Sequence, residues 1–295
     1  MIELLKSGVR RWPLLTRAYR WGYTGMRDSR LRFEAARYHP SERRRIALLR
    51  DRHKGQRCFV LGNGPSLRGV DVGRLVGEAV FTVNHFYLHR ALEIVAPAYY
   101  CISDISFFDE RSNPFWHRNL MRLPTTTSFF LPIGLRRRLR TALSDRDNIY
   151  YLRMDDRHEI WCDGTMSLDA SGVLSKGDTV ILDFCLPIAH FMGFAEIYLL
   201  GCDTDFGPTE QAVHFYDLQT PGRSARYHRE IWYQNVTSSY EVARDAFEAS
   251  GRRLFNATDG GRLDVLPRVT LDQVLASPPP ERRGERRSPY ADPGP

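Results

Sequence analysis

The sequence predicts an α/β fold: a Rossmann-like, mostly parallel sheet with flanking helices, preceded by a basic helical extension. Two observations carry this. Short apolar runs recur between segments of helical or polar pattern, as parallel strands with crossover connections require. The runs also end in Gly, Asn, Ser or Asp, so polar groups gather where strands leave the sheet. With 42% hydrophobic, 26% charged and 12% aromatic residues, the chain can fill one large core or two small ones. Collagen-like, fibrous and wholly disordered chains are excluded.

In chain order, residues 1–55 read as two basic helices, broken near Gly22 to Gly25 and near His39-Pro40-Ser41. Ile2, Leu5, Val9, Trp12 and Tyr19 form an apolar face, with Lys6, Arg10, Arg17 and Arg20 around it;. Residues 56–276 hold the α/β domain. Strands are expected over 57–61, 79–83, 98–102, 127–131, 148–152, 196–200 and 253–255, and helices over 136–140, 178–192 and 231–250, the last stopped by Gly251. Residues 277–295 are rich in Pro, Arg and Gly and read as a disordered tail;.

Residues 1–55 carry fifteen Lys/Arg against five Asp/Glu, which leaves the rest at −3 within a net charge of +7. The body is therefore mildly acidic and shows no recognition motif, which argues against a nucleic-acid partner. The basic helical face suits either an anionic membrane surface or packing on the body. Cys58, Cys101, Cys162, Cys185 and Cys202 are odd in number, lack C-x-x-C spacing and mostly sit in apolar runs, a pattern of reduced, buried thiols;. The longest apolar stretch, 179–202, is interrupted by Asp183, His190, Gly193 and Glu196, so it is no membrane span;. The first thirty residues lack the apolar core of a secretory signal. The expected location is cytoplasmic; the basic segment is read first as a helical extension packed on the body or a partner, with peripheral attachment to the inner membrane face as the alternative.

In an open parallel sheet, ligands bind beyond the carboxyl ends of the strands. The groups found there are Gly62-Asn63-Gly64-Pro65-Ser66, Asn84-His85, Ser103-Asp104, Asp203-Thr204-Asp205 and Asn256-Ala257-Thr258. The first reads as a phosphate or nucleotide cradle: two glycines let backbone N–H groups approach an anion, and Ser66 is placed to cap a following helix. It is neither a P-loop nor G-x-G-x-x-G, because Leu67 stands where the third glycine belongs;. A bulkier residue at Gly64 is expected to block nucleotide approach and leave the fold intact. Lys176-Gly177-Asp178-Thr179 opens a helix, where a cap by Asp178 or Thr179, free N–H groups and Lys176 together can hold a phosphate.

Gly62 to Leu67, Val83-Asn84-His85-Phe86 and the run from Ala189 to Asp203 resemble two related groups. One is the family of small bacterial CMP-sialic-acid-dependent sialyltransferases. The other is the broader family named after the archaeal 6-hydroxymethylpterin pyrophosphokinase, many members of which look like polysaccharide glycosyltransferases. The resemblance covers about residues 56–270. It implies that Asn63 and Gly64 touch the nucleotide phosphate or ribose, that Asn84 touches the cytidine nucleotide, and that a CMP donor needs no metal. His214-Phe215-Tyr216 is similar to the broader family. The chain departs from the sialyltransferase pattern at two places: Gly177-Asp178-Thr179 replaces Thr-Ser-Gly, and Phe206 stands where tyrosines follow G-x-D.

The expected activity is transfer of a sugar from a nucleotide-activated donor to a cell-surface glycan or lipid-linked acceptor. Gly62, Asn63, Gly64, Ser66, Asn84, Gly177 and Thr179 would bind the donor, Asp104 and Asp203 would orient donor or acceptor, and His214 or His228 would act as base. Asp203-Thr204-Asp205 has the D-x-D form that can hold Mg²⁺ on a diphosphate. With Asp104 as a further ligand, the same residues would suit an alternative, Mg²⁺-dependent pyrophosphoryl transfer from ATP to a pterin alcohol. A non-catalytic nucleotide-binding or scaffold protein is the third reading.

Overall fold

The computed structural model describes residues 40–111, 113–204, 214–216 and 226–277. Its centre is an eight-stranded parallel sheet: β1 (Arg57–Leu61), β2 (Ala79–Val83), β3 (Tyr99–Cys101), β4 (Ser128–Pro132), β5 (Ile149–Glu159), β6 (Val173–Lys176), β7 (Glu196–Leu200) and β8 (Arg253–Asn256). The order is β6-β5-β4-β3-β2-β1-β7-β8. A parallel bridge between Asn256 and Arg268 extends it beyond β8. In register, Phe59 of β1 lies opposite Val80 of β2 and Tyr198 of β7.

Both faces of the sheet are buried, so its central strands read as continuous apolar runs. Cys58, Val60, Phe81, Tyr99 and Leu199 face one core; Phe59, Leu61, Val80, Tyr100 and Leu200 face the other. The first core is closed by α1 (Pro40–Ala47) and by α5 (Ile160–Asp163). A π-helical turn (Ile181–Cys185) that continues into α6 (Leu186–Phe191), and α7 (Arg226–Ala249), complete that side. The second is closed by short 3-10 turns, by α2 (Leu92–Val95), α3 (Trp116–Met121) and α4 (Arg136–Ala142), and by α8 (Leu271–Ala276). The result is a three-layer α/β arrangement.

β1 lies between β2 and β7. The β1-to-β2 connection packs on one face and the helical segment that leads into β7 packs on the other. Such a reversal opens a crevice at the carboxyl ends of the two strands.

Residues 40–56 are packed on this body. Ile46 is fully buried, and the buried Glu42 carboxylate accepts a hydrogen bond from Arg136 Nε at 2.9 Å. The backbone N–H groups of Asp51, His53 and Gly55 donate to the carbonyls of Phe191, Met192 and Gly193. The rest of the expected basic extension, residues 1–39 with Trp12, and the tail from 278 onward lie outside the described residues. Among the described residues no helix is long and apolar enough to cross a membrane.

Three expectations are corrected. The helix foreseen after Ser66 is a 3-10 turn, Pro65–Gly69, followed by another, Val72–Leu75. The strand expected over 148–152 runs for 11 residues, because its outer half carries Arg153, Asp155, Arg157 and His158, which hide it from an apolar search. The helix expected from 178 starts later, since Asp178 has a left-handed backbone with φ of 63°.

Candidate active site

A cleft of ≈ 910 Å³ opens at the carboxyl ends of the strands. Gly62, Asn63, Gly64, Asn84, Asp104, Thr179, Asp203 and His214 all line it. So do Ser103 after β3, Arg153 on β5, Asp183 in the π-helical turn, and Trp232 and Tyr240 from α7.

Ser66 and Gly177 do not line the cleft; they brace it. The Asp203 carboxylate accepts from Ser66 N–H at 3.1 Å and from Ser66 Oγ at 2.8 Å, tying the exit of β7 to the turn after β1. Gly64 sits in the gap: a Cβ there would lie 1.7 Å from Asp203 Oδ2 and 2.7 Å from Gly201 O. The glycine N–H groups are not turned to a ligand. Gly62 N–H donates to Leu200 O at 2.7 Å and Gly64 N–H to Gly201 O at 2.8 Å. The anion cradle read from the sequence is thus a close-packed junction between β1 and β7, its glycine N–H groups taken by backbone carbonyls.

The Asn63 Nδ2 donates to Val83 O at 3.2 Å, while its Oδ1 is buried with no hydrogen-bond partner among the described residues. Asn84, on the next strand exit, is the same case. Its backbone is left-handed with φ of 47°, its carbonyl accepts from Tyr100 OH at 2.5 Å, and its Oδ1 is also buried without a partner among the described residues. A buried acceptor left unmade costs about 1–3 kcal/mol. Both residues line the cleft.

The opposite wall is built around Asp183, which sequence reasoning missed as a site residue. It is 5% exposed. Its Oδ1 accepts from Gly177 N–H at 2.7 Å and its Oδ2 from Ser103 Oγ at 2.8 Å. Gly177 is required there because a Cβ would lie 2.3 Å from Leu182 Cβ. The Gly177 N–H is therefore committed to Asp183 and not to a phosphate. Thr179 Oγ1 caps the helix by accepting from Leu182 N–H at 3.3 Å, whereas Asp178 pairs with Lys176 at 3.2 Å. Tyr240 hydrogen bonds to Thr179.

Burial raises the Asp183 carboxyl to about 7, against opposing hydrogen bonds from Gly177 and Ser103. Between pH about 4 and about 7 the folded protein keeps a proton that the unfolded chain has released. The stability this group contributes is complete at low pH and is lost as pH rises through 7. Asp183→Asn removes the dependence. Urea denaturation should show the parent losing on the order of 3 kcal/mol relative to the variant between pH 4.5 and 8; parallel curves would contradict this.

His214 is held by its neighbours. Phe215 N–H donates to Asn63 O at 2.9 Å, and Arg68 donates to Phe215 O at 3.0 Å and to His214 O at 3.1 Å. The Phe215 ring packs edge-on against His89, and the His214 ring stacks on Tyr216, which stacks on His85. Burial, and then the proximity of His214, lower His85 to about 4, so His85 is neutral near pH 7. His228 falls in the first turns of α7 and its side chain lies outside what the structure describes.

Asn256 and Thr258 do not reach the cleft lining. Asn256 bonds to Leu263 O and Thr258 N–H, and Thr258 Oγ1 accepts from Cys202 N–H at 3.1 Å, so this fifth strand ending steadies the exit of β7. Of the Mg²⁺ ligands read from the sequence, Asp104 and Asp203 line the cleft. Asp203 bonds to Ser66 through both oxygens, Asp104 accepts from Ser106 N–H at 2.8 Å, and Asp205 is outside the described residues. Among the described residues no three His, Cys, Asp or Glu side chains form a group that could hold a metal ion. Cys58, Cys101, Cys185 and Cys202 are buried thiols.

No family model and no curated protein matches the chain. Two solved structures are similar to it. One is the sialyltransferase CstII from Campylobacter jejuni in complex with a substrate analogue, CMP-3FNeuAc: 13% identity, covering 73% of this chain and 86% of that one, with a TM-score of 0.44. The other is the monofunctional alpha-2,3-sialyltransferase Cst-I from Campylobacter jejuni: 12% identity, 78% and 86% coverage, and a TM-score of 0.46.

Proposed function

We propose that this chain is a glycosyltransferase that moves a sugar from a CMP-linked donor to a glycan or lipid-linked acceptor. The observation that carries the reading is a pair of cleft-lining residues beside the β1/β7 switch point, Asn63 and Asn84, whose buried carboxamide oxygens have no partner among the described residues. Nucleotide ribose and base amino groups are donors of the kind these oxygens require. The choice of CMP rests on the resemblance carried by Gly62 to Leu67, Val83 to Phe86 and Ala189 to Asp203.

In this reaction an acceptor hydroxyl oxygen attacks the anomeric carbon as the bond to the CMP phosphate breaks. His214 takes the hydroxyl proton, and its anchored segment holds it on the same cleft wall as Asn63;. Thr179, which lines the cleft, would contact the leaving phosphate through its hydroxyl.

Calorimetric titration with CMP, CDP and ATP, each with Mg²⁺ and with chelator, tests the reading. CMP binding that survives chelation is expected. ATP binding that needs Mg²⁺ would point to pyrophosphoryl transfer, and no nucleotide binding would leave a scaffold.

A further inference from the structure

Asp183 and Ser103 both line the cleft, from elements that are far apart in sequence. The π-helical turn, whose hydrogen bonds span one residue more than those of an α-helix, carries Asp183, which lines the cleft; such turns recur at functional sites;. Among the described residues neither oxygen of the carboxylate has a cation as its hydrogen-bond partner. One accepts from the Gly177 N–H and the other from the Ser103 hydroxyl.

We propose that Asp183 is a positioning residue whose protonation decides whether the Ser103 hydroxyl keeps its hydrogen on the protein or turns it toward a ligand. An ionised carboxylate only accepts, so Ser103 must then donate to it. When a solvent proton binds Oδ2, the new O–H donates to Ser103 Oγ at the same 2.8 Å separation. The Ser103 hydrogen is released and can rotate into the cleft. The Gly177 N–H is a donor in both states, so the change is confined to Ser103. Three other groups act electrostatically on this carboxyl. Asp178 resists its ionisation and Lys176 favours it, both from the segment around the end of β6, and Tyr240 interacts with it from α7. Asp104, next to Ser103, is engaged with Ser106 N–H. The rise of the carboxyl to about 7 through burial places the exchange near neutrality.

A protonated Asp183 removes a negative charge from the wall and adds a donor, so an anionic ligand binds more tightly at lower pH. For CMP this rests on the reading above. The test is CMP affinity from pH 5.5 to 8.5 in the parent, Asp183→Asn and Ser103→Ala. The phosphate of CMP titrates in the same range and is common to all three. Relative to either variant, the parent should lose roughly three- to tenfold in affinity as pH rises, the worth of one hydrogen bond. Asp183→Asn, whose amide donates to Ser103 Oγ at every pH, should behave at pH 8.5 as the parent does at low pH. Superimposable pH profiles overturn the proposal.

A second arm uses no ligand: carbonyl NMR of labelled Asp183. Losing the hydroxyl in Ser103→Ala should move the carboxyl titration to higher pH, and an unmoved midpoint also overturns the proposal. If CMP fails to bind at any pH, the nucleotide reading falls, and the NMR arm alone decides the proton coupling.

Discussion

Gly64→Ala will lower the unfolding free energy by about 3 kcal/mol or more, and Gly64→Val will leave little folded protein. The cause is local geometry. A Cβ at 64 would stand 1.7 Å from Asp203 Oδ2 and 2.7 Å from the Gly201 carbonyl. The side chain cannot simply swing aside, because both carboxylate oxygens are bonded to Ser66. The carbonyl cannot retreat without breaking the Gly64 N–H to Gly201 O hydrogen bond at 2.8 Å. Gly69 is the control, since a Cβ there meets nothing within 4 Å, and Gly69→Ala should change stability by less than about 1 kcal/mol;. Urea denaturation of the two alanine variants reads the difference. A Gly64→Val protein that folds normally and loses only nucleotide binding would restore the expectation drawn from the sequence.

The second large effect concerns His214. Replacing it with alanine should lower turnover by roughly 10²–10⁴, the usual worth of a general base, with CMP affinity nearly unchanged. The segment is anchored through backbone groups and the Phe215 ring, so removing the imidazole leaves its support in place. His228→Ala is the comparison and should do less. Full-rate His214→Ala beside inactive His228→Ala would transfer the role to His228, and loss of CMP binding in His214→Ala would make it a donor ligand.

What could be read from the sequence follows from how the sheet is buried. β1, β2 and β7 are enclosed on both faces, so Arg57–Leu61, Ala79–Val83 and Glu196–Leu200 stand out as apolar runs that stop at Gly or Asn. Parallel strands then place their ends together, which brings Asn63, Asn84, Asp104 and Asp203 to one cleft. β6 was not legible: it has 4 residues, two of them Ser175 and Lys176. Asp183 was hidden for a different reason. A single acid inside an apolar helix reads as an interruption, and only the fold shows that Ser103, 80 residues earlier, supplies its partner. Hydrogen bonding at the Gly62 to Gly64 turn was equally invisible, because the carbonyls that take its N–H groups belong to β7 and the residue that follows it. Arg68 carries no motif, yet it fixes the His214 segment through two carbonyls.

In the proposed function the cleft at the β1, β2 and β7 exits holds a nucleotide through Asn63 and Asn84. A crystal structure with CMP soaked in the presence of chelator tests it most directly. The account predicts the nucleotide beside the β1 and β2 exits, with donors of its ribose or base within about 3.2 Å of Asn63 Oδ1 and Asn84 Oδ1. A nucleotide bound elsewhere, or a cleft still empty at a CMP concentration that saturates binding in solution, would contradict it.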